Sequence, residues 1–281
     1  MENQALNLHP SPDRCRPSAT VLAITSGKGG VGKTNIAANV ALCLASWNKR
    51  VLLLDADLSL GNLDLVMDIR SKYNISHVLS GDKRMEEIIQ PGPRGLQIIC
   101  GASGLDHLAN LSEAEQRRII ENLCRLQHET DEIVIDTAAG ISSCVVSFCL
   151  AADHVLVVTT PEAAAIADAY GIIKVLVRKH YAGPISLVVN MARTLAEGRQ
   201  TYQRIADVAQ KFLQSHLYYA GTLLKDERLC AAVRSRTPVV LAYPKAPISR
   251  SLTALAARLS GTRGGDDPDG GFFKRVIRWL N

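Results

Sequence analysis

Eight consecutive residues carry the densest chemistry in the chain: Gly27, Lys28, Gly29, Gly30, Val31, Gly32, Lys33 and Thr34, which read GKGGVGKT. A glycine, four residues and then Gly-Lys-Thr is the spacing of a loop that wraps phosphate groups. The glycines let backbone N–H groups approach an anion with no Cβ in the way. The N-terminus of the helix that follows adds a favourable dipole. Lys33 is the residue to reach the β and γ phosphates of a nucleotide, and the Thr34 hydroxyl is the one to take a Mg²⁺ coordination position.

Such a loop works only between a strand and a helix, and the flanks supply both. Val21 to Thr25 is an apolar strand, and Thr34 to Trp47 has helix-forming composition. Further apolar runs end in polar residues, which places those residues at the carboxyl edge of a sheet, where α/β folds bind ligands. The strand Val51 to Leu54 runs into DADLSLGNLD, with carboxylates at Asp55, Asp57 and Asp64. Asp57 is the candidate to orient an attacking water, and Asp55 to support Mg²⁺ through its water shell. Ile133 to Asp136 continues as DTAAG, so Asp136 becomes a second candidate Mg²⁺ carboxylate and Gly140 the pivot of a loop that senses a γ-phosphate. The strand Ile185 to Asn190 ends in an amide whose donor and acceptor can pair with the N6 and N7 edge of adenine.

The remaining pattern alternates in the same way. Leu96 to Cys100 and His154 to Thr160 read as buried strands. Tyr218 to Leu224 and Val239 to Tyr243 read as late strands around a helix containing Leu229, Val233 and Arg234. Ser112 and Glu115 form a capping box for a helix to about Gln127. Residues 65–95 read as irregular, helical by turns.

Composition excludes several classes. In 281 residues, 47% of them hydrophobic, there is room for one large α/β domain with a buried core. No apolar run approaches the ~20 residues of a membrane span, and the first residues lack a signal core, so export is not expected. Seven cysteines are scattered with no CxxC, as expected of reduced thiols, and seven histidines show no metal spacing. A net charge of +5 suits any anion-binding protein, and the positive charges read as dispersed.

Lys28 narrows the reading. A phosphate loop needs no lysine directly after its first glycine, and a second ammonium near Lys33 costs repulsion unless more negative charge lies between them. GKGGVGKT with both lysines resembles the deviant Walker A loop of the MinD/ParA ATPases, and DTAAG and the acidic stretch at 55–64 resemble their switch segments. Ser59 replaces a common glycine of that stretch, Ala164 and Ala165 replace hydroxyl residues in PEAAAIADAY, and Leu224 stands where the family carries proline. The resemblance implies a single doubly wound domain over 20–260, a mostly parallel sheet of about seven to eight strands, ATP or ADP with Mg²⁺, and Asn190 as the base-recognition residue. It also implies a homodimer in which Lys28 reaches the nucleotide of the other subunit.

The ends suggest the flagellar FlhG (FleN) branch. Asn3 to His9 in the arm 1–19 is similar to the DQAxxLR activator motif of that branch, with Asn3 for Asp and His9 for Arg. After a Gly- and Asp-rich linker at 261–271 comes FFKRVIRWLN. On a helix Phe272, Phe273, Val276, Ile277 and Leu280 fall on one face and Lys274, Arg275 and Arg278 on the other, the pattern of an anchor for anionic lipid. The resemblance thus implies slow, partner-stimulated ATP hydrolysis at the cytoplasmic face of the cell membrane. Its expected partners are an FlhF-like GTPase, a flagellar transcription activator and flagellar switch (C-ring) proteins. A MinD-type division regulator is the alternative. A ParA-type DNA segregation protein would need a basic stripe, so nucleic acid is not an expected partner. A metabolic enzyme or iron–sulfur carrier on the same fold would need a substrate-domain insertion or a CxxC.

Overall fold

Short runs of Val, Ile and Leu without polar interruption make strands that are buried on both faces, and a parallel sheet is where such strands belong. The computed structural model describes residues 19–57, 61–101, 126–127 and 129–260. In it β1 (Thr20–Ser26), β2 (Val51–Ala56), β3 (Gln90–Pro91), β4 (Gln97–Ile99), β5 (Glu132–Ala139), β6 (His154–Thr159), β7 (Ile185–Ala192) and β8 (Tyr218–Leu224) form one sheet. Their order is β3-β4-β2-β5-β1-β6-β7-β8, parallel throughout except for β3 against β4. The expected doubly wound α/β fold is therefore present.

The helices described are α1 (Lys33–Ala45), α2 (Leu63–Met67), α3 (Ile75–Leu79), α4 (Ser143–Ala151), α5 (Ala163–Arg178), α6 (Leu195–Leu213), α7 (Glu227–Arg234), α8 (Val239–Ala242) and α9 (Pro247–Ser260). Alternate strand residues feed two cores. Val21, Ala23, Ile133, Ile135 and Val157 bury against α4, α5 and α6. Leu22, Ile24, Val134, Leu156 and Val158 bury against α1 and α9 on the other face. α1 is buried almost all round, because the sheet covers one side of it and α9 another. Among the described residues no helix is long and apolar enough to cross a membrane. The expectations for residues 1–18, for the loop and capping-box helix at 102–125, and for the linker and amphipathic segment at 261–281 lie outside the described residues.

One expected strand is a helix. Within Val239 to Tyr243, residues Val239–Ala242 form the single turn α8, with Tyr243 closing it. A run of five apolar residues fits either conformation, and tertiary partners decide it. Pro238 precedes the turn, the Val240 N–H donates to the Asn39 Oδ1 at 3.1 Å, and the Ser249 hydroxyl donates to the carbonyls of Val239 and Tyr243. Side chains from α1 and α9 thus satisfy backbone groups that a strand would have presented to a neighbour.

At the opposite edge from the phosphate loop, His154 opens β6 and is fully buried, its Nε2 2.8 Å from the Ser186 Oγ. Burial pushes its imidazole down to about 4, against about 6.5 in an unfolded chain. The unfolded chain therefore takes up a proton that the folded one refuses. The stabilisation is complete above pH 6.5 and is lost as pH falls towards 4, by up to about 3 kcal/mol. Asp55, raised to about 7, acts in the opposite sense over the same window, so the diagnostic quantity is a difference between variants. In urea unfolding, His154→Gln should lose less stability than the wild type between pH 6.5 and 4. Parallel curves would exclude a neutral buried imidazole.

Candidate active site

The loop Gly27–Gly32 bridges the end of β1 and the start of α1, beside the central strands β5 and β6. This is where the strand order changes direction, the position at which open α/β sheets take ligands. Gly32 holds φ at +89°, and a Cβ there would sit 2.4 Å from the Asn190 Nδ2. A Cβ at Gly27 would fall 2.1 Å from the Asp168 carbonyl oxygen of α5. Glycine is therefore required at both positions by close approach, and at Gly32 by its backbone conformation as well. Gly29 and Gly30 face solvent, and a Cβ at either would meet nothing within 4 Å. Val31 is buried and fastens the loop to the core beneath.

Below the loop lies a charged cluster. The Lys33 Nζ is 2.7 Å from the Asp136 Oδ1, and both side chains are almost wholly buried. Thr34, the next residue, is also close enough to Asp136 to favour its charged form. Asp55 near the end of β2 is in register with Asp136 of the adjacent parallel strand β5, which sets the two carboxylates side by side. Asp55 accepts from the Asp57 N–H at 3.0 Å and from the Leu63 N–H at 3.3 Å. Burial, reinforced by Asp136, nevertheless pushes its carboxyl up to about 7. Burial raises Asp136 too, against the pull of Lys33. Asp57 sits one residue past β2, half-buried, and its charge contributes to the upward shift of both neighbours.

The sequence expectations converge here: Lys33, Thr34, Asp55, Asp57 and Asp136 meet under the loop. A hydroxyl beside two carboxylates in a desolvated cluster is a donor set for a hard, oxygen-seeking cation, and Mg²⁺ fits it. Among the described residues no group of three or more His, Cys, Asp or Glu could hold a metal. The Gly140 N–H donates to the Ser26 carbonyl at 2.8 Å, which keeps the end of β5 against the loop.

Two residues do something the sequence did not indicate. The Asn190 Nδ2 donates to the Val31 carbonyl at 2.8 Å, so this amide braces the loop itself. The Lys28 Nζ lies 3.3 Å from the Glu162 Oε2, at the entrance of α5, with the lysine side chain 42% exposed. Glu162 and Asp168 were not singled out as site residues. No spacing in PEAAAIADAY signals that its helix touches Gly27 and Lys28.

A glycine loop braced on α5 and β7, a lysine driven into two acidic strand ends and a buried helix behind define a P-loop nucleotide-binding α/β protein. Comparison with known proteins agrees: the AAA domain family matches residues 19–181. The chain is similar to the antiactivator FleN of Pseudomonas aeruginosa, 38% identical over 85% of each chain. It is also similar to the flagellum site-determining protein YlxH of Helicobacter pylori, 37% identical over 92% of this chain and 90% of that one. Among solved structures, a chain of the MinC:MinD cell division complex of Aquifex aeolicus superposes with a TM-score of 0.71 at 29% identity, covering 87% of this chain and 97% of that one. The chain belongs to the MinD/ParA family of deviant Walker A ATPases, and within it resembles the flagellar FlhG (FleN) members.

Asp136→Ala would leave the buried ammonium of Lys33 without its counter-charge. In urea unfolding without nucleotide the variant should be about 3 kcal/mol less stable than the wild type. Asp136→Asn, which keeps an acceptor oxygen, should lose less. Equal stability of all three would mean that Lys33 and Asp136 are not paired in the nucleotide-free protein.

Proposed function

We propose that this chain is an ATP-driven dimerising switch that sets flagellar number or placement, in the manner of the flagellar branch of its family. Similarity to a flagellum site-determining protein, at 37% identity, and to the antiactivator FleN, at 38%, both over most of the chain, supports the flagellar assignment over a division role. The single observation that carries the mechanism is the unequal placement of two lysines in one loop. Lys33 is buried against Asp136, whereas Lys28 stands at the exposed rim. A buried lysine can serve only its own subunit. A rim lysine can serve the nucleotide of a facing one.

In this reading the backbone N–H groups of residues 29–34 bind the phosphates, and Lys33 exchanges Asp136 for phosphate oxygens. Thr34 and Asp136 would hold Mg²⁺, with Asp55 acting through water. The bound ion supplies positive charge against the phosphate oxygens. Asp57 orients the attacking water, and Asn190, already braced on Val31, turns its free valences to the base. Lys28 crosses the interface of the homodimer.

Two dimerised copies of the 272–281 segment would bind anionic lipid far more strongly than one, which ties nucleotide state to the cytoplasmic face of the membrane. Partners of the flagellar type follow from the same reading: an FlhF-like GTPase, a transcription activator and C-ring proteins.

Two substitutions separate the roles. Lys28→Ala should bind ATP yet remain monomeric in light scattering, and a normal dimer mass would remove the lysine from the interface. Asp57→Ala should dimerise with ATP while phosphate release falls by roughly a hundredfold. Wild-type turnover in that variant would assign the water to another group. A flagellar count in a deletion strain, compared with cell length, distinguishes the flagellar role from division control.

A further inference from the structure

The sheet ends at β8, and among the described residues no strand pairs with its outer edge. An uncovered edge is a template for a further strand, and proteins blunt it with charge or with a bulge. Both devices are present here. Tyr219 is in register with Leu187 and Gly221 with Val188, so Ala220 is the extra residue of a bulge, and Gly221 beside it holds φ at +146°. The Ala220 carbonyl, on the side of α9, accepts from the Arg258 Nη1 at 2.6 Å. Tyr219 faces α6 instead, where its ring lies 4.9 Å from that of Tyr202 and 5.5 Å from the Arg199 guanidinium. Its hydroxyl, 2.6 Å from the Thr222 Oγ1, fixes the ring.

The two arginines therefore flank one edge from opposite faces, at neighbouring residues of β8. A groove of about 270 Å³ runs between them, lined by Val188, Leu223 and Leu255 and by no carboxylate. Both arginines are exposed, and neither makes an ion pair among the described residues. No Asp or Glu stands three or four positions from either of them, so the helices supply no acidic neighbour of the usual kind. Two cations beside an open backbone edge thus lack their complement.

We infer that this edge is a docking site for an extended segment of another protein, one that carries two consecutive acidic residues. Addition of a strand to a sheet edge is an established way to bind a peptide: backbone pairing supplies affinity, and side-chain sites supply the choice of sequence. Successive side chains of a strand point to opposite faces. A segment laid along β8 therefore puts one carboxylate on the α6 face, at Arg199, and the next on the α9 face, at Arg258. The Arg258 guanidinium uses one N–H of its fork on Ala220 and keeps the rest for a carboxylate. Charge-assisted pairs of this kind are the stronger hydrogen bonds. Because the bulge at Ala220 interrupts the ladder, a segment without the acidic pair gains little from the backbone alone, and the edge selects its partner by charge.

Two fluorescein-labelled peptides of the same composition test this by anisotropy on the full chain at low ionic strength. One reads Thr-Val-Glu-Glu-Val-Thr and the other Thr-Glu-Val-Glu-Val-Thr. The consecutive pair should bind about tenfold more tightly than the alternating one, whose two carboxylates share a face and reach a single arginine. Arg199→Gln and Arg258→Gln should each reduce the first peptide to the affinity of the second, and binding should weaken as salt rises. Arg199 projects from the exposed side of α6, so its variant decides the matter if Arg258→Gln loosens the bulge. In hydrogen exchange the bound peptide should slow the Tyr218–Leu224 amides. Equal affinity of the two peptides, unchanged binding by Arg199→Gln, or unchanged exchange along β8 would each overturn the proposal. So would binding that appears only after removal of residues 261–281, which would give the groove to the chain's own tail, and nucleotide-independent self-association lost in Arg199→Gln, which would give it to a second copy.

Discussion

One ammonium set against two buried carboxylates organises this molecule. Asp55 and Asp136 reach the same depth at the ends of neighbouring strands because β2 and β5 are in register. Removing either charge from water costs several kcal/mol unless it is compensated. Lys33 compensates Asp136, and a proton retained to about pH 7 relieves Asp55. The loop, the register of the central strands and the burial of α1 all bear on this arrangement. It is complete enough to fold, yet it retains acceptor capacity that only a cation and phosphates would use well.

The same topology separates cause from effect. Lys49, just before β2, joins Glu132 at the start of β5 and Ser260 at the end of α9. In a parallel sheet those strand starts lie on the edge opposite the phosphate loop, about 13 Å away across four residues of β5. The root of the C-terminal segment is thus pinned at one edge while nucleotide chemistry occurs at the other. In the proposed dimer, pairing of subunits couples them by changing the number of segments presented.

Much of this was legible in the sequence for a local reason. The phosphate loop, the acids Asp55 and Asp136 and the amide Asn190 each follow a run of apolar residues directly, so a short-range pattern places them. The misread segment and the unforeseen contacts share the opposite property. Val239 to Tyr243 became helix because Asn39 and Ser249, distant in sequence, supply its hydrogen bonds. The contact of Asp168 with Gly27 and the ion pair of Glu162 with Lys28 span more than 130 residues and follow no periodicity.

The braces on the loop complete the argument. A glycine-rich octet free in solution would lose considerable backbone entropy on closing round a phosphate. Here Asn190 holds the Val31 carbonyl, Gly140 holds the Ser26 carbonyl and Asp168 walls off Gly27. That entropy is therefore lost during folding, before any ligand arrives. What remains free is the rim, where Lys28 is tethered only by an exposed ion pair of the kind worth at most about 1 kcal/mol. The site is rigid where phosphate would bind and loosely held at the rim, where the proposed dimer would bring a second subunit.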